Sequence, residues 1–298
     1  ESLTEQQPVH DGASRVSLIL DGRLDNRDHL LRALGVAPST QLPDSSLVLM
    51  AYRKWGQDCV NHLVGEFAFA IWDARERTLF CVTDPMGIRP LFDRELPGQH
   101  FAFASEVQAL LALTGGRTAL NHTRLAMLGI SSFSVYLDPE DTCFESIHRV
   151  PAATVLTGSG SGKKVSQYWE PDPTRRLHFK SDAECREAFQ EVFFKAVGAR
   201  LRSAFPVASM LSGGLDSSAI VAAASRLLAS ENRNLLTLSS VPMADVRGRV
   251  TDESEYIDLF RDWENLDMRE VSAPGCGPFD NLEQLVKTGS LCSYSYQH

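Results

Sequence analysis

Ser212-Gly213-Gly214-Leu215-Asp216-Ser217-Ser218 constrains this chain more than any other stretch. An apolar run, Pro206 to Leu211, leads into it, and a helix-like run, Ala219 to Leu228, follows. Strand, small-residue turn and helix N-terminus together predict an anion cradle, because turn N–H groups and the positive end of the helix converge on one spot. Two glycines let the backbone approach a phosphate without an intervening Cβ. The serines add hydroxyl donors. Asp216 is the odd member, since a carboxylate beside a phosphate makes sense when a divalent cation sits between them. No lysine precedes the serines, so this is not a Walker loop. Taken alone, the pattern also fits an ordinary glycine-rich βα turn with serine caps.

Length and composition narrow the classes. At 298 residues the chain is long enough for two domains. Hydrophobic residues make up 43% and charged residues 22%, the balance of a soluble globular protein. A net charge of −9 argues against a nucleic-acid-binding surface. It leaves room for ATP, whose charge is handled locally by backbone N–H groups and metal. No apolar run approaches the ~20 residues that span a bilayer, and no signal peptide is visible. The six cysteines, Cys59, Cys81, Cys143, Cys185, Cys276 and Cys292, show no CxxC spacing. Zinc and thioredoxin-like chemistry are therefore not expected, Cys81 reads as core filler, and a cytoplasmic location fits.

The first half reads mostly as strands. Arg15 to Asp21 is predicted as a strand ending in an Asp-Gly turn, followed by a short helix over Asn26 to Leu34. Ser45 to Trp55 carries apolar residues at helical spacing. Phe67 to Trp72 and Thr78 to Thr83 form a hairpin around Asp73–Arg77. Phe101 to Ala104 is a strand, Glu106 to Leu113 a helix, and Asn121 caps a helix running to Leu128. Thr157 to Lys164 reads as a hairpin tip leading into a strand at Val165 to Trp169. Pro171-Asp172-Pro173-Thr174 suits a domain boundary, because two prolines discourage both helix and ladder.

The second half alternates helix and strand. Ser181 and Glu184 match a capping box, followed by an apolar stripe of Phe189, Val192, Phe193, Ala196, Val197 and Leu201. Val207 to Leu211, the SGG loop, Ala219 to Leu228, Leu235 to Val241, a helix over Asp252 to Trp263 and Met268 to Val271 then follow. This βαβαβ order implies a parallel sheet with ligand at the C-terminal ends of its strands. Ser212 and Val241 lie at those ends.

The loop resembles the pyrophosphate-binding loop of ATP pyrophosphatases, and the chain as a whole resembles the asparagine synthetase family. The landmarks run in order: Asp21-Gly22-Arg23-Leu24-Asp25-Asn26, then Asp44, then Leu63 to Asp73, then Asp84-Pro85-Met86-Gly87-Ile88-Arg89-Pro90-Leu91. Phe103-Ala104-Ser105-Glu106-Val107 and Tyr168-Trp169 complete them. The resemblance implies a two-domain α/β fold. Residues 1–173 would form a class II glutamine amidotransferase-like domain, an αββα Ntn-hydrolase-like sandwich. Residues 174–298 would form a Rossmann-like parallel α/β ATP pyrophosphatase domain. Measured against the family, both are expected to be incomplete: the N-terminal cysteine nucleophile is not in the chain, and the second nucleotide motif would lie beyond His298.

The resemblance also implies a reaction. Mg2+ and ATP adenylate a small-molecule or peptide carboxylate, an amine displaces AMP, and enzyme-held metal and dipoles neutralise the departing pyrophosphate. Carried over, Ser212, Gly213, Gly214, Ser217 and Ser218 match the pyrophosphate loop. Asp216 matches a Mg-associated aspartate and Leu211 the adenine-side leucine. Ser240 falls where the family uses a valine. A homodimer is compatible with the family pattern.

The glutamine side departs from it. The family reads Asn-Gly-Glu where this chain has Asp21-Gly22-Arg23. Asp21 would place a negative charge where an amide donor is needed, and losing such a donor alone costs ~10²–10³ in rate. Arg23 would place a cation where the glutamine ammonium sits, although Asp44 still matches the amine-binding aspartate. In the simpler alternative, Asp21-Gly22 is a turn, Arg23 and Asp25 form a surface ion pair, and Asp84 pairs with Arg89. Three functions stand side by side: glutamine-hydrolysing asparagine synthesis, a glutamine-independent relative of the lasso-peptide-cyclase or β-lactam-synthetase type, and a non-catalytic ATP-binding scaffold. Weak or absent glutaminase activity is the expectation.

Overall fold

The computed structural model describes residues 5–37, 42–96, 100–116, 118–130, 140–159, 162–242 and 253–272. The chain divides into two compact units between Pro173 and Thr174.

The first unit runs β1 (Val9–Asp11), β2 (Val16–Leu24), α1 (Arg27–Leu34), α2 (Asp44–Trp55), a 3-10 segment Gly56–His62, β3 (Gly65–Asp73) and β4 (Thr78–Thr83). It continues through β5 (Phe92–Leu96), β6 (His100–Ala104), α3 (Val107–Ala112), α4 (His122–Ile130), β7 (His148–Arg149), β8 (Thr154–Ser159) and β9 (Gly162–Gln167). Two antiparallel sheets result, ordered β1-β2-β3-β4-β8-β9 and β6-β5-β7.

Strand alternation stacks these elements in layers. Phe67, Phe69 and Ile71 of β3 face α1 and α2, burying Leu30, Leu31, Leu47 and Val48. Ala68 and Ala70 point the other way, toward Phe101 and Phe103 of β6. Ala102 and Ala104 of β6 then face Val107 and Leu110 of α3. The order is helix, sheet, sheet, helix.

The hairpin of β3 and β4 forms as the pattern predicts. Asn121 does cap α4, accepting the Arg124 N–H at 3.0 Å. The Asp-Gly turn does not form. Asp21 and Gly22 lie inside β2, paired with Ala68 and Phe67 of β3. Gly22 is needed for close approach: a Cβ would overlap the Glu66 carbonyl and come 2.6 Å from the Phe67 Cα. β8 and β9 pair from Thr154↔Gln167 to Ser159↔Gly162, while residues 160 and 161 of the expected tip lie outside the described residues.

The second unit comprises α5 (Asp182–Arg200), β10 (Val207–Met210), α6 (Leu215–Ala229), β11 (Leu235–Ser240), α7 (Ser254–Asp258) and β12 (Leu266–Val271). Its three strands are parallel in the order β10-β11-β12. At the start of α5, Ser181 Oγ accepts the Glu184 N–H at 3.2 Å, and the Glu184 carboxylate accepts the Lys180 N–H. The return bond thus reaches one residue before the N-cap.

Two expectations change. The stripe on α5 is only partly buried: Val197 and Leu201 join the core, whereas Phe189 is 68% and Val192 67% exposed. Only the C-terminal part of the stripe reaches α6 and β10. The helix expected over Asp252 to Trp263 is shorter, and Asp252 lies outside the described residues. After Asp258 the chain tightens into i→i+3 bonds, Phe260 N–H to Ile257 and Trp263 N–H to Phe260, which turn both rings inward.

Candidate functional site

The SGG loop joins the C-terminal end of β10 to α6. Leu211 prolongs the ladder by donating its N–H to Leu238 at 2.9 Å, and its side chain is wholly buried. What Leu211 presents at the sheet edge is main chain. Ser240 ends β11, is exposed and pairs in register with Val271. The structure therefore brings the loop and Ser240 to the same edge of one parallel sheet, where such folds hold ligands.

Within the loop the hydroxyls organise the backbone. Ser217 Oγ accepts the Ser212 N–H at 3.1 Å, lies 2.9 Å from Ser212 Oγ and donates to the Gly214 carbonyl at 3.2 Å. The helical bond from Ser218 N–H to the Gly214 carbonyl is 3.1 Å long. Gly214 is the N-cap of α6, and the helix start has no side-chain cap. The first-turn N–H groups of Leu215, Asp216 and Ser217 are thus presented without a capping side chain at the positive end of a 15-residue helix. That is the donor set an anion needs.

Gly213 is fixed by two requirements. Its φ is +85°, and a Cβ would come 2.8 Å from the Glu253 carbonyl oxygen and 3.3 Å from the Tyr256 Cβ. Residues at the start of α7 therefore back the loop, a contact that local sequence reading missed. The acidic run Asp252-Glu253-Ser254-Glu255 was the only available signal, and helix-dipole preference already accounts for it.

Asp216 is exposed in the first turn of α6 and also lines a groove of about 370 Å³ with Phe189, Phe193 and Ile220. No group of three or more His, Cys, Asp or Glu gathers as a metal cage among the described residues. A single carboxylate still fits Mg2+ delivered with a nucleotide, since that ion is commonly held by one or two carboxylates plus substrate phosphates.

The glutamine-side residues meet around β2. Asp21, Gly22 and Arg23 are consecutive on the strand, and Asp44 reaches the same edge by accepting the Leu24 N–H at 2.9 Å. Every charged member has a partner within the chain. Arg89 lies 3.4 Å from Asp21 and 3.1 Å from Glu66. Arg23 lies 3.5 Å from Asp25, with both side chains 14% exposed, so this expected surface pair is largely buried. Asp44 pairs with Arg27.

Asp84 does not pair with the Arg89 side chain. Its carboxylate accepts backbone N–H groups of Phe67, Met86, Ile88 and Arg89, which pins the loop after β4 and aims Arg89 back toward β2. Tyr168 is structural as well, donating its hydroxyl to the Thr83 carbonyl at 2.8 Å, and burial raises its pKa.

The first unit is thus a layered α/β domain with two antiparallel sheets, and the second is an α/β domain on a parallel sheet. Comparison agrees: the glutamine amidotransferase domain model matches residues 2–169 and the asparagine synthase model residues 188–290. The chain belongs to the asparagine synthetase family. It is 34% identical over 230 residues to "Asparagine synthetase [glutamine-hydrolyzing] 3" of Bacillus subtilis, covering 76% of this chain and 36% of that protein. It is 27% identical over 249 residues to "Amidase chyE" of Penicillium rubens, covering 81% of this chain and 35% of the relative. The chain thus spans about a third of the length of these relatives. Among solved structures, glutamine phosphoribosylpyrophosphate amidotransferase from Bacillus subtilis aligns over 91% of this chain and 65% of its own, with a TM-score of 0.40 and 13% identity.

Proposed function

We propose that this chain serves ATP-dependent amide-bond formation of the asparagine synthase type, as part of an AMP- and pyrophosphate-forming carbon–nitrogen ligase. The carrying observation is the start of α6 at the end of β10, where no side chain caps the first-turn N–H groups. In this reading the second unit is a Rossmann-like nucleotide domain. The substrate carboxylate oxygen attacks the α-phosphorus of ATP, the bond to pyrophosphate breaks, and an acyl-adenylate forms. An amine then attacks the acyl carbon and AMP departs. The N–H groups of Leu215–Ser217 and the Ser212 hydroxyl hold the pyrophosphate oxygens as negative charge develops on them, while Ser217 Oγ, whose proton goes to the Gly214 carbonyl, braces the loop. Ser240 borders the nucleotide from the next strand. Mg2+, held by Asp216 and the phosphates, would supply charge neutralisation. The carboxylate is a small molecule or a peptide, and the cytoplasm is the compartment that fits. Product analysis tests this: AMP with pyrophosphate is expected, and ADP with phosphate would overturn it.

A second reading concerns the amine. Of the two named relatives, one carries the name of a glutamine-hydrolysing asparagine synthetase and the other that of an amidase. In this chain Asp21 stands paired with Arg89, so a carboxylate rather than an amide donor occupies that position of β2. This favours a glutamine-independent relative, of the lasso-peptide-cyclase or β-lactam-synthetase type, in which the substrate's own amine attacks. Ammonia release from glutamine by the full-length protein should then stay at background. A turnover of about 1–10 s⁻¹, ordinary for an enzyme, would remove this reading and restore glutamine as the amine source.

A further inference from the structure

Helices α5 and α6 pack against each other and leave an apolar groove of about 370 Å³ along their outer faces. Phe189 and Phe193 line it from α5, their rings stacked at 5.9 Å, and Ile220, 42% exposed, lines it from α6. Ala219 and Ala222 keep the α6 wall low, which admits a second helix at close range. A charge stands at each end. Asp216 lies in the first turn of α6 and Arg226 in the last, about 15 Å apart along the helix axis. Among the described residues neither side chain forms an ion pair or a hydrogen bond.

Contiguous exposed apolar surface rimmed by polar groups marks an interaction site, and the charges around it select the partner and the register. A face with an acid at one end, a base at the other and apolar residues between is complementary to itself when turned end for end. We propose that this groove is a pairing surface for a second copy of the chain, with the two α6 helices antiparallel. Each Asp216 then faces Arg226 of the second copy, and Ile220 lies beside the two-fold axis, as an isologous contact requires. Pairing also takes Asp216 away from a metal ion, so Mg-ATP and self-association oppose each other. That last consequence alone rests on the nucleotide reading of the loop.

The test is sedimentation of the full chain without nucleotide, in which the wild type should dimerise as concentration rises. Arg226→Asp sets carboxylate against carboxylate, and Asp216→Arg sets guanidinium against guanidinium. Each variant alone should pair at least about ten-fold more weakly. An equimolar mixture of the two should pair again, because every charge then meets its opposite. If Asp216→Arg disturbs the start of α6, Ile220→Glu at its exposed position is the substitute, and it should abolish pairing while circular dichroism stays that of the wild type. A chain that remains monomeric up to about 1 mM leaves the groove to another occupant and overturns the proposal. A dimer indifferent to these substitutions overturns it too. Saturating Mg-ATP should weaken wild-type pairing several-fold. A dimer that the mixture restores but Mg-ATP leaves unchanged keeps the pairing surface and removes Asp216 as the holder of Mg2+.

Discussion

Around Ser212–Ser218 the first-turn N–H groups of α6 carry no capping side chain, whereas around Asp21–Arg27 each charged side chain faces a partner of opposite sign. Both regions sit at strand ends and both are rich in groups able to bind ligand. One presents donors outward, and the other has consumed its charges internally. Residue types alone do not separate these cases. The difference lies in long-range partners: Arg89 and Glu66 for Asp21, Arg27 for Asp44, and only a small-residue N-cap for α6.

The largest expected effect breaks the open side of the comparison. Gly213→Ala places a Cβ against Glu253 at a positive φ, a strain of about 1–3 kcal/mol, and displaces the loop. ATP affinity measured by calorimetry should fall by roughly 10–100-fold. Gly22→Ala is next and acts on the other side. Its Cβ overlaps the β3 backbone, so urea unfolding of the first unit should lose about 3 kcal/mol while ATP affinity stays the same. Ser217→Ala is milder. It removes the acceptor of the Ser212 N–H, and one such bond is worth about 1 kcal/mol, so ATP affinity should drop about five-fold.

The smallest effect is a control for charge pairing away from both sites. The Arg75 side chain, donating to Asp73, holds that carboxyl below its usual range, with the Arg75 and Glu76 N–H groups adding to it. A lowered folded pKa contributes stability that is full above the unfolded value of about 3.9 and is lost as pH falls through the folded one. Asp73→Asn should therefore lower the melting midpoint at neutral pH and converge with wild type at the acid end. Parallel curves across the whole range would contradict this.

The elements were largely legible where periodicity was local. β3 and β4 announce themselves by alternation, and α2 by its helical spacing. The strand-to-helix turn at Ser212–Ser218 was legible because glycine and serine carry their roles in their own backbone and hydroxyl chemistry. The Asp21-Gly22 pair misled because Asp-Gly signals a turn locally, while its conformation here is set by the close approach of β3. Arg27, Glu253 and Tyr256 were missed for a related reason. Arg27 meets Asp44 across 17 residues and Glu253 meets Gly213 across 40, and single-sequence periodicity does not encode such pairings. The exposed half of the α5 stripe was unreadable likewise, since a helical pattern names a face but not the element that covers it.

Hydrogen–deuterium exchange of the whole chain, with and without Mg-ATP and then L-glutamine, tests the contrast directly. The account predicts that Mg-ATP slows exchange across Leu211–Ser218 and that glutamine leaves Asp21–Arg27 and the start of α2 unchanged. A loop indifferent to Mg-ATP, or protection of Asp21–Arg27 by glutamine, would contradict it.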